Sequence, residues 1–160
     1  MQPLYLRDDC VIVAVNDSNL TSLLTLSLAP AQQGFIEPIS DCLEEAKQEH
    51  RFIPVALYYQ QQLVGFAMFG EFCEPQQRIW FDRFLIDIHF QGQGLGKRFA
   101  ELVMSYLYQR YAVNELYLSV YADNLHAIKL YHHLGFVFNG EQDHNGELVM
   151  CCVYQSSNED

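Results

Sequence analysis

The chain is poor in cations. Nine lysines and arginines stand against twenty aspartates and glutamates, a formal net charge of −11 over 160 residues. A surface of that sign is repelled by phosphate backbones and anionic headgroups, which argues against nucleic-acid binding and a peripheral membrane role and favours a cationic substrate or partner. No run approaches the roughly 18 apolar residues of a membrane span, and the N-terminus carries no basic segment followed by an apolar one. A cytoplasmic location is therefore expected. The five cysteines, Cys10, Cys42, Cys73, Cys151 and Cys152, lack C-x-x-C spacing, and the six histidines are scattered. Neither a disulfide framework nor a metal site is expected from them. With no repeat, linker or low-complexity segment, residues 1–160 read as one domain with an ordered core at about 11–154 and a polar tail from Gln155.

What is present is a dense apolar chain, 50% hydrophobic and 14% aromatic. Val11 to Val15 reads as a β-branched strand, with Asp17-Ser18 offering a cap for a helix through Leu20, Leu23 and Leu24. Pro30 to Gly34 breaks it, and Ser40 or Asp41 opens or extends a second helix with Ile39, Cys42, Leu43 and Ala46 at helical spacing and Asp41, Glu44, Glu45 and Glu49 opposite. Pro54 to Tyr59 and Leu63 to Phe69 read as a hairpin across Gln60-Gln61-Gln62, and Gln76-Gln77 leads into a strand from Arg78 to Ile88. Simple alternation there puts Arg78, Trp80, Asp82, Phe84 and Ile86 on one face and Ile79, Phe81, Arg83, Leu85 and Asp87 on the other. An amphipathic helix follows to about Arg110, then a strand from Glu115 to Val120, a helix from Asp123-Asn124 to Leu134 stopped by Gly135, and two strands, Phe136 to Asn139 and Leu148 to Tyr154. Asn145-Gly146 suits a tight turn between those last two.

Between the strand and the long helix lies Gln91-Gly92-Gln93-Gly94-Leu95-Gly96-Lys97. Free amides at a helix start, backed by the helix dipole and uncovered by glycine, favour an anion. A Walker loop would need glycine at 91 and serine or threonine at 98, where Gln91 and Arg98 stand. The dinucleotide pattern G-x-G-x-x-G meets Lys97 or Phe99 where it needs glycine. The pattern that does fit is Q/R-x-x-G-x-G/A, as Gln91-x-x-Gly94-x-Gly96, and with it the chain resembles the GNAT superfamily of N-acetyltransferases. About thirty residues downstream, Asn124-Leu125-His126-Ala127-Ile128-Lys129-Leu130-Tyr131-His132-His133-Leu134-Gly135-Phe136 resembles that superfamily's second signature, N-x-x-A-x-x-L-Y-x-x-x-G-F.

The resemblance implies an α/β (α+β) fold, a central mixed, mostly antiparallel sheet of about seven strands flanked by about four helices. It implies acetyl-CoA as cosubstrate, with the pyrophosphate on Gln91, Gly92, Gln93, Gly94, Leu95, Gly96 and Lys97. The pantetheine arm would lie along the backbone of Phe84, Leu85 and Ile86, with the Leu85 amide stabilising the oxyanion and Asn124 also touching the cofactor. Tyr131 falls where the family keeps its general acid for the departing thiolate. Asp82, nine residues before Gln91, falls where spermidine/spermine acetyltransferases carry a glutamate, so it is the candidate base, through water or as an ammonium anchor. Small bacterial polyamine acetyltransferases look similar at Phe35-Ile36-Glu37-Pro38, Phe66-Ala67-Met68-Phe69-Gly70, Trp80-Phe81-Asp82-Arg83-Phe84 and Phe138-Asn139-Gly140-Glu141. The expected substrate is thus a small cationic amine held by Glu37, Asp41 and Asp82, acetylated directly in a ternary complex by a homodimeric enzyme. Two other readings stay open: the same chemistry on a protein N-terminus, a lysine or an aminoglycoside, and a coenzyme A-binding module without catalysis.

Overall fold

A computed structural model describes residues 2–71 and 77–155. Cys73, Gln76 and the polar tail beyond Gln155 lie outside the described residues. The strands are β1 (Tyr5–Arg7), β2 (Cys10–Ala14), β3 (Phe52–Tyr59), β4 (Gln62–Glu71), β5 (Ile79–Ile86), β6 (Glu115–Val120), β7 (Val137–Gln142) and β8 (Leu148–Val153). The helices are α1 (Leu20–Leu23), α2 (Ile39–Gln48), α3 (Leu95–Tyr111) and α4 (Leu125–His133). All eight strands form one sheet in the order β1-β2-β3-β4-β5-β6-β8-β7, antiparallel throughout except where β5 meets β6. The strand at the N-terminal edge was not expected. Tyr5 to Arg7 is short and largely exposed and carries no apolar alternation to announce it.

The sheet separates two apolar layers. On one face α3 packs Leu95, Phe99, Leu102, Val103 and Leu107 against Ile12, Phe69, Phe81 and Phe136. On the other, Leu23, Ile39, Cys42 and Leu43 of α1 and α2 cover Phe66, Met68 and Leu85. Each buried aliphatic contributes about 1.5–3 kcal/mol by leaving water, and α2 has only three buried residues to hold it. Neither expected cap is used. The position before α1 is Asn19, not Asp17 or Ser18, because Asn16 turns the chain there by accepting the Ser18 and Asn19 N–H groups. Pro38 precedes α2 in an extended conformation, so Ser40 and Asp41 lie inside the first turn.

Local backbone chemistry sets the rest. The β3–β4 turn is Gln60-Gln61, both at positive φ (49° and 69°), the geometry of a tight turn that matches strand twist. Gly135, at φ 104°, ends α4. In β5 simple alternation fails. Met68 of β4 is paired with Arg83 and Phe69 with Phe81, so Asp82 is the extra residue of a bulge. Ile79 and Phe81 before the bulge, and Phe84 and Ile86 after it, therefore face the same α3 layer, while Leu85 faces the α2 layer. Trp80, Asp82, Phe84 and Ile86 do not share a face as expected.

Candidate active site

β5 and β6 share a single registered pair, Trp80 with Tyr117, and part beyond it. The opening is a groove of about 1590 Å³, walled by residues 82–86 on one side, Ser119 to Tyr121 on the other and the segment between α1 and α2 above. The edge of β5 that faces it follows from the pairing with β4. The Asp87 amide donates to Val64 O at 2.8 Å, and the Leu85 carbonyl lies 2.5 Å from where a Cβ on Gly65 would sit. Alternate residues of a strand bond to opposite sides, so Leu85 and Asp87 address β4 while Phe84 and Ile86 open into the groove. The Leu85 amide therefore cannot serve as the oxyanion donor. Phe84 and Ile86 present the free N–H groups.

The groove runs on to the start of α3. Gly92 and Gly94 take positive φ (79° and 76°), and Gly94 occupies the cap position of α3 without a side-chain cap. The amides from Gly94 to Lys97 thus have no preceding carbonyl to bond. A Cβ on Gly92, Gly94 or Gly96 would meet nothing within 4 Å, so open space lies against this backbone. Lys97, at the start of α3, lines this end, and Lys129 lines the groove from α4. Bare amides, positive side chains and an unpaired strand edge fit an extended ligand that carries phosphates at one end and an amide-bearing arm at the other. Gln91 helps by another route than direct contact. Its side-chain amide donates to Ile86 O at 2.8 Å and Gln32 Oε1 at 2.9 Å, fixing the loop to β5 and to the opposite wall. Gln93 does not line the groove.

At the other end the groove is acidic. The bulge turns Asp82 inward, where its Oδ2 is enclosed and has no hydrogen-bond partner among the described residues. Burial pushes this carboxyl up to about 8, Arg83 opposing and Glu45 adding to the shift. Arg83 Nη2 lies 3.1 Å from Glu37 Oε1 and 3.7 Å from Glu45 Oε2, so Glu37 reaches the groove already paired. Asp41 is exposed and stays outside. Two acidic residues that sequence patterning missed complete this end, Asp143 and Glu147 in the β7–β8 turn. Burial and a shared proton with Asp143 push Glu147 up to about 7. Asp143 is held low despite burial, because the Glu147 and Asn145 amides both donate to its Oδ1 at 2.9 Å. Only the turn potential of Asn145-Gly146 pointed to this region.

Tyr131 lies between the two ends. Asn124 caps α4 by accepting the Ala127 N–H at 3.4 Å and also lines the groove. Two turns on, α4 sets the Tyr131 ring edge-on to Phe81 (6.3 Å) and Phe136 (5.8 Å). Its hydroxyl has no hydrogen-bond partner among the described residues, and burial alone raises its pKa above the usual phenol value of 10.0. At neutral pH it holds its proton and has nothing among the described residues to give it to.

A mixed sheet opened beside a parallel pair, a bare glycine-rich helix start and a protonated tyrosine between phosphate and amine ends define an acyltransferase of the coenzyme A type. Residues 15–136 match the acetyltransferase (GNAT) family, and the chain belongs to that family, whose cosubstrate is acetyl-CoA. It is 46% identical over 144 residues to the spermine/spermidine N(1)-acetyltransferase of Bacillus subtilis, covering 87% of this chain and 95% of that one. It is 28% identical over 159 residues to the spermidine N(1)-acetyltransferase of Escherichia coli, covering 93% and 82%. Among solved structures, spermidine N-acetyltransferase from Vibrio cholerae in complex with CoA and spermine superposes with a TM-score of 0.69 at 17% identity, over 89% of this chain and 93% of that one. The ribosomal-protein-S18-alanine N-acetyltransferase of Escherichia coli superposes at 0.65 and 23% identity, over 94% and 97%. These two likenesses are likenesses of fold.

Proposed function

We propose that this enzyme transfers acetyl from acetyl-CoA directly to a primary amine of a polyamine such as spermine or spermidine. The observation that carries the reading is Asp82, an enclosed carboxyl without a partner at the acidic end of the groove. The 46% identity to a spermine/spermidine acetyltransferase supports it. A polyamine nitrogen arrives protonated, with a pKa near that of lysine, about 10.4, and must lose that proton before it can attack. Moving the proton to an ordinary aspartate is uphill by about 9 kcal/mol, whereas a carboxyl at about 8 reduces this to about 3 kcal/mol. Burial thus makes Asp82 a usable base, directly or through one water.

When bound, acetyl-CoA supplies the reactive thioester. The Phe84 and Ile86 N–H groups hold its arm as an added strand and polarise the carbonyl, and the amides from Gly94 to Lys97 hold its phosphates. Tyr131 protonates the departing sulfur. Asp82, Tyr131 and the strand amides thus divide the work of base, acid and electrophilic support. On the same reading the enzyme acts in the cytoplasm as a homodimer, for which the edge strand β7, exposed throughout, leaves an open surface.

The test is an initial-velocity study with acetyl-CoA and spermidine both varied. Intersecting double-reciprocal lines and one thiol released per acetylspermidine formed are expected. Parallel lines would replace direct transfer by a covalent enzyme intermediate, and no acetylspermidine would remove the polyamine reading.

A further inference from the structure

The acidic end of the groove is not uniformly short of cations. Arg83 serves Glu37 and Glu45 from β5, and Arg78 grips Glu141 through one nitrogen at 3.0 and 2.9 Å. Among the described residues Asp82 and the Asp143–Glu147 couple are left without a cation. Asp82 Oδ2 is enclosed on the β5 wall with neither hydrogen bond nor ion pair among the described residues. Glu147 sits half-buried in the β7–β8 turn, with a second carboxyl, Asp143, behind it and no ion pair among the described residues. Asp143 hydrogen-bonds to Glu147 but brings no positive charge, and its Oδ1 also accepts the Asn145 and Glu147 amides.

We propose that Glu147, backed by Asp143, binds a second ammonium of the acceptor while Asp82 receives the reacting nitrogen, so that the groove selects amines with two positive charges. The proposal deepens the polyamine reading and rests on it. Carboxylates taken from water without a counter-charge are costly, and among the described residues Arg83 and Arg78 pair with Glu37, Glu45 and Glu141 while no cation pairs with Asp82 or with the Asp143–Glu147 couple. A diamine settles both at once, whereas a monoamine settles Asp82 and leaves the Asp143–Glu147 couple without a cation. Glu37, the acceptor contact expected from the sequence, is the weaker candidate because Arg83 already occupies it at 3.1 Å. Among the described residues the phosphate-binding end of the groove contributes no carboxylate to compete, since the glycine loop and Lys97 line it.

The experiment compares putrescine, spermidine and butylamine, the last being putrescine without its second ammonium, at saturating acetyl-CoA. Wild-type enzyme should prefer putrescine to butylamine by at least a hundredfold in kcat/KM. Glu147→Gln should shrink that ratio at least tenfold, chiefly through the KM for the diamine. Glu147→Lys, which tethers an ammonium at the subsite, should abolish the preference, and Asp143→Asn should weaken it in the same direction. Stabilisation of each variant against heat by acetyl-CoA reports that it has folded, and any one folded variant of the three decides the question. Equal losses on putrescine and butylamine, or an unchanged ratio, would overturn the subsite while leaving the polyamine reading in place. Failure of the wild type to acetylate any of the polyamines would remove both.

Discussion

Asp87 Oδ2 accepts the backbone N–H of Ser27 at 2.7 Å, joining the segment above the groove to the start of the glycine loop. The bond is doubled by the Ile88 N–H donating to Ser27 O at 2.9 Å, and Asp87 Oδ1 also accepts the His89 N–H at 2.9 Å. Asp87 is buried, at 4% exposure, and these amide donors keep its pKa low in spite of that burial. Through this carboxylate and the Gln91–Gln32 contact, the wall that faces the acceptor is held to the loop that faces the cofactor.

Asp87→Ala should therefore disturb both substrates. It strands the Ser27 and His89 amides at a cost of about 2–4 kcal/mol, which a thermal melt would register. The KM values for acetyl-CoA and for the amine should rise together. A rise in only one would show that the two walls are not mechanically joined here.

Asp82 should govern the pH profile. Its folded-state pKa, at about 8, stands above its ordinary 3.8, so the folded protein binds one proton more than the unfolded chain between those values. Stability from this group is complete below about pH 4 and falls as pH rises toward 8, while the ionised base that catalysis needs appears over the top of that window. Asp82→Asn should melt higher than the wild type at pH 9 and close to it at pH 4, and kcat should fall by about a hundredfold or more. A melting difference that did not grow with pH would contradict the burial of this carboxyl.

Tyr131→Phe separates chemistry from packing. The ring keeps its contacts with Phe81 and Phe136, and the lost hydroxyl has no partner among the described residues. The melting temperature should hold or rise slightly, with acetyl-CoA affinity unchanged, while kcat drops by about 10²–10³-fold. An unchanged kcat would remove the general-acid role and favour a module that binds coenzyme A without turnover.

The glycine loop offers a contrast within three residues. Gly94→Ala forces a side chain onto φ 76° and should cost about 1 kcal/mol of stability. Gly96→Leu, at ordinary φ and with open space around its Cβ, should fold normally yet raise the KM for acetyl-CoA at least tenfold. Equal binding by the Gly96 variant would place the phosphates elsewhere.

Helix and loop chemistry carried most of what the sequence disclosed. Gln91 to Lys97 and Asn124 to Phe136 are contiguous, so their glycine and cap chemistry could be read in place, and their helices lie within one or two residues of expectation. The directions of β5 could not be read that way. A bulge is a relation between two strands, and nothing in Arg78 to Ile88 announces that Phe69 pairs with Phe81 and Met68 with Arg83. That single extra residue is what turns Asp82 inward, and pairing with β4 is what removes Leu85 from the groove. Glu147 escaped for a similar reason. A carboxylate beside a tight turn looks like solvated surface until β5, 65 residues earlier by the count from Asp82 to Glu147, is folded against it. Gln93 and Asp41 adjoin the right motifs, yet their side chains lie outside the groove those motifs build.

The central claim is acetyl transfer to a polyamine. It is tested most directly by thiol release from acetyl-CoA with spermine, spermidine, putrescine, lysine and a short peptide, each at matched ionic strength. The kcat/KM for spermine and spermidine should lie at least a hundredfold above that for lysine and peptide. Equal turnover on all five, or turnover on the peptide alone, would contradict it.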